Sequence, residues 1–270
     1  MDLSIIILNY KTRGLVKHCI NNVRATTANF AYEIIVIDNG SSDGIEAMMK
    51  ENFPDIKFIQ TGKNLGFAAG NNIGIKEAKG KHVLILNPDV TVLNGSIEKM
   101  LKFMEANPEI GIVGPKLINP DGSYQISCRT FQTPKLILYR RTPLGRLPFA
   151  KKQLEKHLML DFDHSSAREV DWFLGACMLI NKECLDKMGL FDERFFIYFE
   201  DMDLCRRFWM NGYKVYYLAE AEMVHLFERA SANDSWNFLK LNKLTRLHIA
   251  SGIKYFVKYF GVKNTSRTAQ

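Results

Sequence analysis

The sequence predicts an α/β protein with a doubly wound, mostly parallel sheet carrying helices on both faces. Three observations carry that expectation. Residues 1–115 alternate short β-branched runs with amphipathic stretches, the pattern of repeated βα units. Gly, Asn and Pro punctuate the boundaries between those runs. A chain of 270 residues with 47% hydrophobic content can also bury the core of one large α/β domain.

Taken in order, the expected strands are Ser4–Leu8, Glu33–Ile37, Ile56–Ile59, Val83–Leu86 and Ile110–Val113, each short, apolar and β-branched. Between them Gly14–Thr26, Asp43–Glu51, Ala68–Ala78 and Gly95–Glu105 read as helices. Ser41 and Ser42 with Asp43, and Asn94, are the helix-start signals, and Gly80 and Asn107-Pro108 the stops. Residues 134–168 break the pattern with a Pro-interrupted basic stretch, YRRTPLGRLPFAKKQ, and an acidic DFD. That stretch reads either as a solvated surface loop or as a lid facing substrate. Regular structure resumes with a strand at Ala176–Ile180, a helix from Glu200 to Met210, and a strand at Lys214–Leu218 leading to His225. Trp236–Phe260 mixes apolar residues at helical spacing with lysines and arginine. The expected division is a catalytic domain over 1–232, with a nucleotide-binding half at 1–115 and an acceptor-binding half at 116–232. A basic amphipathic helical extension follows over 233–270.

Bulk properties narrow the function. The amino terminus enters a strand pattern at once, without a basic leader, and no apolar run reaches the roughly 20 residues that span a bilayer, so a cytoplasmic, non-spanning protein is expected. Five cysteines at irregular spacing, with no CxxC pair, read as reduced thiols rather than zinc ligands or disulfides. A formal charge of +7 implies an anionic partner: nucleic acid, anionic lipid or a phosphorylated substrate.

In a doubly wound sheet, ligands bind beyond the carboxyl ends of the strands, so the polar residues after each apolar run are the candidates. Three ends stand out: Asn9-Tyr10, then Asp38 with Asn39-Gly40-Ser41-Ser42-Asp43, then Asn87-Pro88-Asp89. A carboxylate at the second end can accept from the imide N–H of uracil or thymine, and one at the third can hold a divalent cation bridging a diphosphate. Singly, each Asp is as well explained as a turn former or cap. The run from Asn64 through Gly66 and Asn71 to Gly74 opens a helix with small residues, permitting close approach of a ligand or tight helix–sheet packing. It has neither GxGxxG nor P-loop spacing. Later, Glu200, Asp201 and Asp203 follow an aromatic block at a helix start. They are either capping residues paired with Arg206 or Arg207, or a general base whose proton affinity is raised by apolar walls.

In order along the chain, SIIILNY, VIDNGSSD, NLGFAAGNNIGI, LNPDV, DWFLGA, FDERFFIYFEDMDLCRR and VHLFERAS resemble the family 2 glycosyltransferases of the GT-A fold, from Ser4 to about Ser231. The NPD, DWFLGA and FEDMDLCRR combination is similar to the bacterial rhamnosyltransferase branch that builds cell-surface polysaccharides and lipid-linked oligosaccharides. The resemblance implies roles. Asp38 would contact the nucleobase, with Asn9 and Tyr10 lining its pocket, and Asn64, Gly66, Asn71 and Asn87 would lie along the donor. Asp89 matches the last acid of the family's DxD motif and would hold Mg²⁺ or Mn²⁺, with His225 as a further ligand. Trp172 and Gly175 would shape the sugar and acceptor pocket, Asp201 would be the catalytic base, and Glu200 would support it. Two departures bear on the metal and diphosphate: Asn87 replaces the first acid of DxD, and Asn71 stands where many relatives carry arginine.

The resemblance thus implies an inverting transferase using a dTDP- or UDP-sugar, dTDP-rhamnose preferred, on a glycan acceptor that is polyprenyl-diphosphate-linked or soluble. The basic carboxy-terminal stretch reads either as a helix packed on the catalytic domain with solvated charges or as an interfacial helix that would hold the enzyme at the anionic inner face of the cell membrane. A nucleic-acid-binding protein is disfavoured because the basic residues are dispersed among acidic ones and no such motif occurs. A nucleotidyltransferase would show a glycine-rich basic loop after its first strand, where this chain has Asn9-Tyr10-Lys11. An inactive sugar-nucleotide-binding module is the remaining rival, opposed by the set Asp38, Asp89, Asp201 and His225.

Overall fold

The computed structural model describes residues 1–226 and 243–262. Its first part runs β1 (Leu3–Asn9), α1 (Arg13–Thr26), β2 (Tyr32–Asp38), α2 (Ile45–Asn52), β3 (Lys57–Gln60), α3 (Phe67–Lys76), β4 (His82–Leu86), β5 (Val90–Val92), α4 (Ser96–Ala106) and β6 (Ile110–Ile118). The second part holds β7 (Cys128–Arg129), α5 (Pro134–Arg141), α6 (Pro148–His157), β8 (Arg168–Glu169), β9 (Trp172–Phe173), β10 (Cys177–Asn181), α7 (Lys182–Met188), α8 (Glu200–Met210), β11 (Lys214–His225) and α9 (Lys243–Lys258).

One sheet takes the order β3-β2-β1-β4-β10-β6-β11-β5, with β8 also paired to β11. β1, β2, β3 and β4 are mutually parallel, and β11 is parallel to β6. β10 enters antiparallel between β4 and β6, so β6 and β11 keep the direction of β4 while β10, β5 and β8 oppose it. The sheet is therefore mixed but mostly one-directional. β1 shows why its strands are apolar throughout. Ile6 packs into the core cluster that includes Ala68 and Ile75 of α3, while Ile5 and Ile7 pack with Val16 and Ile20 of α1 on the other face. Successive strand residues alternate faces, so a strand covered on both sides needs apolar residues at every position, each worth about 1.5–3 kcal/mol when fully buried. α3 comes close because it carries glycine: a Cβ on Gly70 would stand 2.6 Å from Leu8 Cδ1, and one on Gly74 2.6 Å from Ile6 Cγ2. At these two positions the small residues serve helix–sheet packing.

Several expectations are corrected. Residues 134–168 are not simply a loop: α5 and α6 occupy much of them, joined by a 3-10 turn at Pro143–Arg146. Pro134 and Pro148 stand at the first helical position, where the missing N–H has no helical partner to lose, so they start helices instead of interrupting them. Neither Ser41, Ser42 nor Asn94 caps a helix; left-handed Gly44 and Gly95 precede α2 and α4. Asp43 instead accepts from the N–H of Ile45 at 3.2 Å and that of Arg13 at 3.0 Å, serving the starts of two helices. All five cysteines are buried and unpaired, and burial raises the Cys19 thiol to about 12, in keeping with reduced core thiols.

Of the expected 233–270 extension, 243–262 lies within the described residues, and α9 packs against α8. The joint is Asp203, whose side chain is wholly buried. It accepts from Arg207 Nε at 2.9 Å, Lys258 Nζ at 2.5 Å and the Tyr259 hydroxyl at 2.8 Å. Beside it the Arg206 guanidinium lies 4.0 Å over the Tyr259 ring and donates to the Tyr255 hydroxyl. Asp203→Ala would remove the buried acceptor shared by Arg207, Lys258 and Tyr259, leaving Lys258 only Asp192 and Arg207 only the carbonyls of Met188, Gly189 and Leu190. It is expected to cost about 3 kcal/mol or more, read as a lowered urea midpoint, with Asp203→Asn less harmful.

Candidate active site

The parallel strands deliver their carboxyl ends to one edge, and the candidate residues gather there. Asn9 and Asp38 are direct register partners at the ends of β1 and β2. Both are buried. Asp38 Oδ1 accepts from Asn9 Nδ2 at 3.1 Å and from the Ser41 hydroxyl at 2.5 Å, with the Ser41 N–H at 3.2 Å. Among the described residues no donor reaches Asp38 Oδ2, which leaves it available to a ligand. Asn9 Oδ1 takes the N–H and hydroxyl of Thr12, so its amide is fixed and its Nδ2 faces the acid. Tyr10 is exposed, and a hydrogen bond from Asn64, then the charge of Lys11, lower its pKa. Asn64 Oδ1 also accepts from the Gly66 N–H at 2.8 Å. Asn71 is different: it is fully buried, its Nδ2 donates to the Phe67 carbonyl, and it presents no surface to a donor in this conformation.

Asp89 and His225 meet because β5 pairs antiparallel with the end of β11, setting Val90 opposite His225. The Leu226 N–H donates to the Asp89 carbonyl at 3.0 Å, and Asp89 Oδ2 lies 3.6 Å from His225 Nε2. Asp89 Oδ1 is buried with no hydrogen-bond partner. A carboxylate with one orphaned oxygen and the other 3.6 Å from an imidazole nitrogen fits a divalent cation, which these two side chains would hold. Among the described residues no third His, Cys, Asp or Glu completes a cluster. The remaining positions would fall to diphosphate oxygens and water, as Mg²⁺ prefers. Asn87, half-buried, contributes its N–H to the Ala176 carbonyl at 2.8 Å.

That bond leads to the third group. Gly175 donates its N–H to Asp201 Oδ2 at 3.0 Å, while the Met202 N–H holds Oδ1 at 2.7 Å. A Cβ on Gly175 would lie 3.1 Å from that of Asp201, so only glycine lets this N–H approach unhindered. Burial raises the Asp201 carboxyl to about 6 against the pull of those two N–H groups. Its neighbour Glu200 is pushed well above the carboxylate range by burial and then by the Asp201 charge, and its Oε2 has no partner. The Phe196 carbonyl, on the turn before these acids, accepts the Phe67 N–H at 2.7 Å and sits against Gly66, so the turn also touches the start of α3.

Trp172 is buried, its Nε1 donating to the Thr130 carbonyl at 2.9 Å, and the Arg129 guanidinium lies 5.8 Å over its ring. Arg129 was not singled out in the sequence, although its charge acts on Asp201. Gln125, 2.6 Å from His225 Nδ1, was also missed. Gln125 lies in the irregular stretch after β6 and Arg129 in β7, a two-residue strand too short for periodicity to mark it.

A one-directional sheet edge carrying paired acids and an acid–imidazole pair is the architecture of a GT-A glycosyltransferase. The chain belongs to glycosyl transferase family 2, whose sequence model matches residues 4–173. It is 32% identical over 217 residues to the N-acetylglucosaminyl-diphospho-decaprenol L-rhamnosyltransferase of Mycobacterium tuberculosis, an alignment covering 74% of this chain and 68% of that protein. It is 24% identical to the rhamnosyltransferase WbbL of Escherichia coli over 94% of this chain and 92% of that one. The crystal structure of GalNAc-T7 with UDP, GalNAc and Mn²⁺ shares the fold at a TM-score of 0.65 and 14% identity. That alignment covers 99% of this chain and 58% of GalNAc-T7.

The raised Asp201 pKa has a consequence for stability. Because it lies above the unfolded value near 3.9, the folded protein binds more protons in between, and the associated stability is present below about pH 4 and lost as pH rises through about 6. Asp201→Asn gives up one acceptor for a backbone N–H at every pH but removes the proton uptake, so its Tm shift should be more positive at pH 7.5 than at pH 4, by about 2–4 °C for each kcal/mol relieved. Equal calorimetric shifts at the two pH values would contradict this assignment.

Proposed function

We propose that the protein is an inverting glycosyltransferase that moves a sugar, preferably rhamnose from dTDP-rhamnose, onto a polyprenyl-diphosphate-linked glycan. The observation carrying the reading is Asp201, a carboxyl with a pKa of about 6 held by the Gly175 N–H one residue from the bond that joins Ala176 to Asn87. A base of that kind is largely ionised at neutral pH yet retains proton affinity. Asp38 and Asn9 would take the nucleobase, the available Oδ2 accepting its imide N–H. A divalent cation, Mg²⁺ or Mn²⁺, held by Asp89 and His225 would supply positive charge to the departing diphosphate. Asp201 would remove the proton of an acceptor hydroxyl placed behind the anomeric carbon, with Glu200 holding a proton beside it and Trp172 and Gly175 shaping the pocket. A single displacement then inverts that centre. The lipid-linked acceptor draws support from the name of the Mycobacterium relative, and the rhamnosyl donor from both relatives. A UDP-sugar is the second reading, motivated by the UDP in the GalNAc-T7 structure. The nucleotide-binding half would be 1–115 and the acceptor-binding half 116–232.

Contact with an anionic membrane is part of the proposal. No described helix is long and apolar enough to cross a bilayer. Ile249, Ile253, Val257 and Phe260 nonetheless form a stripe along and just beyond α9, the last three 61%, 71% and 90% exposed. With Lys243, Arg246 and Lys254 on the same helix, the stripe suits an interfacial position at the inner face of the cell membrane.

Asp201→Asn should lower kcat about 10²–10⁴-fold while nucleotide affinity stays within twofold, and NMR of the product should show the opposite anomeric configuration to the donor. Wild-type turnover in that variant, or retained configuration, would refute the base or the inversion. Asp89→Ala should weaken donor binding in calorimetry only when cation is present. A panel of sugar nucleotides scored by thermal shift separates the dTDP and UDP readings. Val257→Ser with Phe260→Ser should abolish co-sedimentation with vesicles containing phosphatidylglycerol; wild-type protein that fails to sediment would leave a soluble acceptor.

A further inference from the structure

Gln125 lies in the turn that follows β6, closed by the Asn119 N–H to the Ser123 carbonyl at 2.8 Å and the Gln125 N–H to the Leu117 carbonyl at 3.0 Å. Its buried side chain meets His225 at both ends. Oε1 is 2.6 Å from His225 Nδ1, while Nε2 is 3.5 Å from the His225 carbonyl and 2.9 Å from Asn119 Oδ1. The chemistry of the partners decides which amide atom is which. A backbone carbonyl only accepts, so the atom facing it is the amide nitrogen.

A second line of bonds gives the same orientation. The Asp121 carboxylate, held below its usual range by Ser123, accepts the Ser123 hydroxyl at 2.6 Å. With its proton committed, the Ser123 oxygen accepts from Asn119 Nδ2 at 2.9 Å. Asn119 must then turn its Oδ1 to Gln125, which meets it with Nε2. The polarity runs unbroken from Asp121 to Gln125, whose Oε1 can only accept. His225 Nδ1 therefore carries the proton, and Nε2 presents its lone pair on the side of Asp89.

We propose that Gln125 is a positioning residue of the metal site, selecting through this relay the imidazole tautomer and ring orientation that let His225 Nε2 bind a cation together with Asp89. The inference rests on the reading of Asp89 and His225 as the metal pair. The outer nitrogen of a ligating histidine is commonly fixed by such an acceptor, and its loss typically weakens metal binding 10–100-fold.

Two measurements test it without turnover. In metal-free wild-type protein, ¹⁵N NMR of the imidazoles should show His225 protonated at Nδ1, and the Nε2–H tautomer would overturn the proposal even if no variant folds. Mn²⁺ affinity in the presence of UDP or dTDP, followed by electron paramagnetic resonance, should fall about 10–100-fold in Gln125→Leu. His225→Ala is the reference. If His225→Ala weakens Mn²⁺ binding and Gln125→Leu stays within twofold of wild type, the role of Gln125 is overturned alone. If His225→Ala is itself without effect, the metal pair fails and the inference falls with it.

Discussion

The position of the candidate catalytic acids depends on two consecutive left-handed residues, Tyr198 and Phe199, at φ of 70° and 72°. Neither is glycine, and each such conformation costs on the order of 1–2 kcal/mol. The surroundings hold the turn from two sides. The Phe199 ring packs on Gly252, 3.2 Å from where a Cβ would stand, and beside Tyr255 and Phe256, while Tyr198 meets His248 edge-on. Ser251 donates to the Ile197 carbonyl at 2.9 Å, and on the opposite side the Phe67 N–H takes the Phe196 carbonyl. α9 and the start of α3 therefore clamp the same turn. The start of α3 and α9 thus both bear on the position of Glu200 and Asp201, and α9 is a structural partner of the acids.

The clamp places two adjacent carboxyls in unlike surroundings. Asp201 has backbone N–H groups on both oxygens, which offset part of the cost of its burial and leave it near 6. Glu200 has an oxygen with no partner and is pushed much higher. Separation of this kind lets one member of a close pair ionise while the other stays neutral, so the charge of Asp201 is not opposed by a second carboxylate. It also makes the site a local source of instability that the Asp203 hub, two residues further along α8, counteracts.

Much of this was legible in the sequence, for identifiable reasons. β1, β2 and β4 are covered on both faces, so their apolar runs are continuous, and the polar residues ending them mark the ligand edge. β5 was not legible: its three residues are a strand only because β11 lies beside them. α5 and α6 were obscured because a proline at a helix start and a proline that breaks a helix look alike until the preceding turn is known. Among the small residues in and just before α3, sequence could not separate Gly70 and Gly74, which pack on the sheet, from Gly66, which makes room for a carbonyl. The left-handed pair is invisible for a related reason. Conformations that glycine would announce are imposed here on aromatic residues by contacts with α9, far away in the chain.

The antiparallel strand β10 explains how the two chemical ends of the site come together. In a purely parallel sheet the ligand edge receives only carboxyl ends, which present acceptor carbonyls and the side chains beyond them. Because β10 runs the other way, its amino end arrives at that edge beside the end of β4, with Cys177 opposite Leu86. The residues leading into it, Asp171 to Ala176, must cross the edge. They place a carbonyl, that of Ala176, on Asn87 next to the Asp89 turn, and an N–H, that of Gly175, on Asp201. Beside the side chains of Asp171 and Trp172, the segment DWFLGA thus supplies successive backbone groups of opposite polarity. Substitutions at Gly175 would act first on the position and proton affinity of Asp201, because any side chain there separates the donor from the carboxylate it holds.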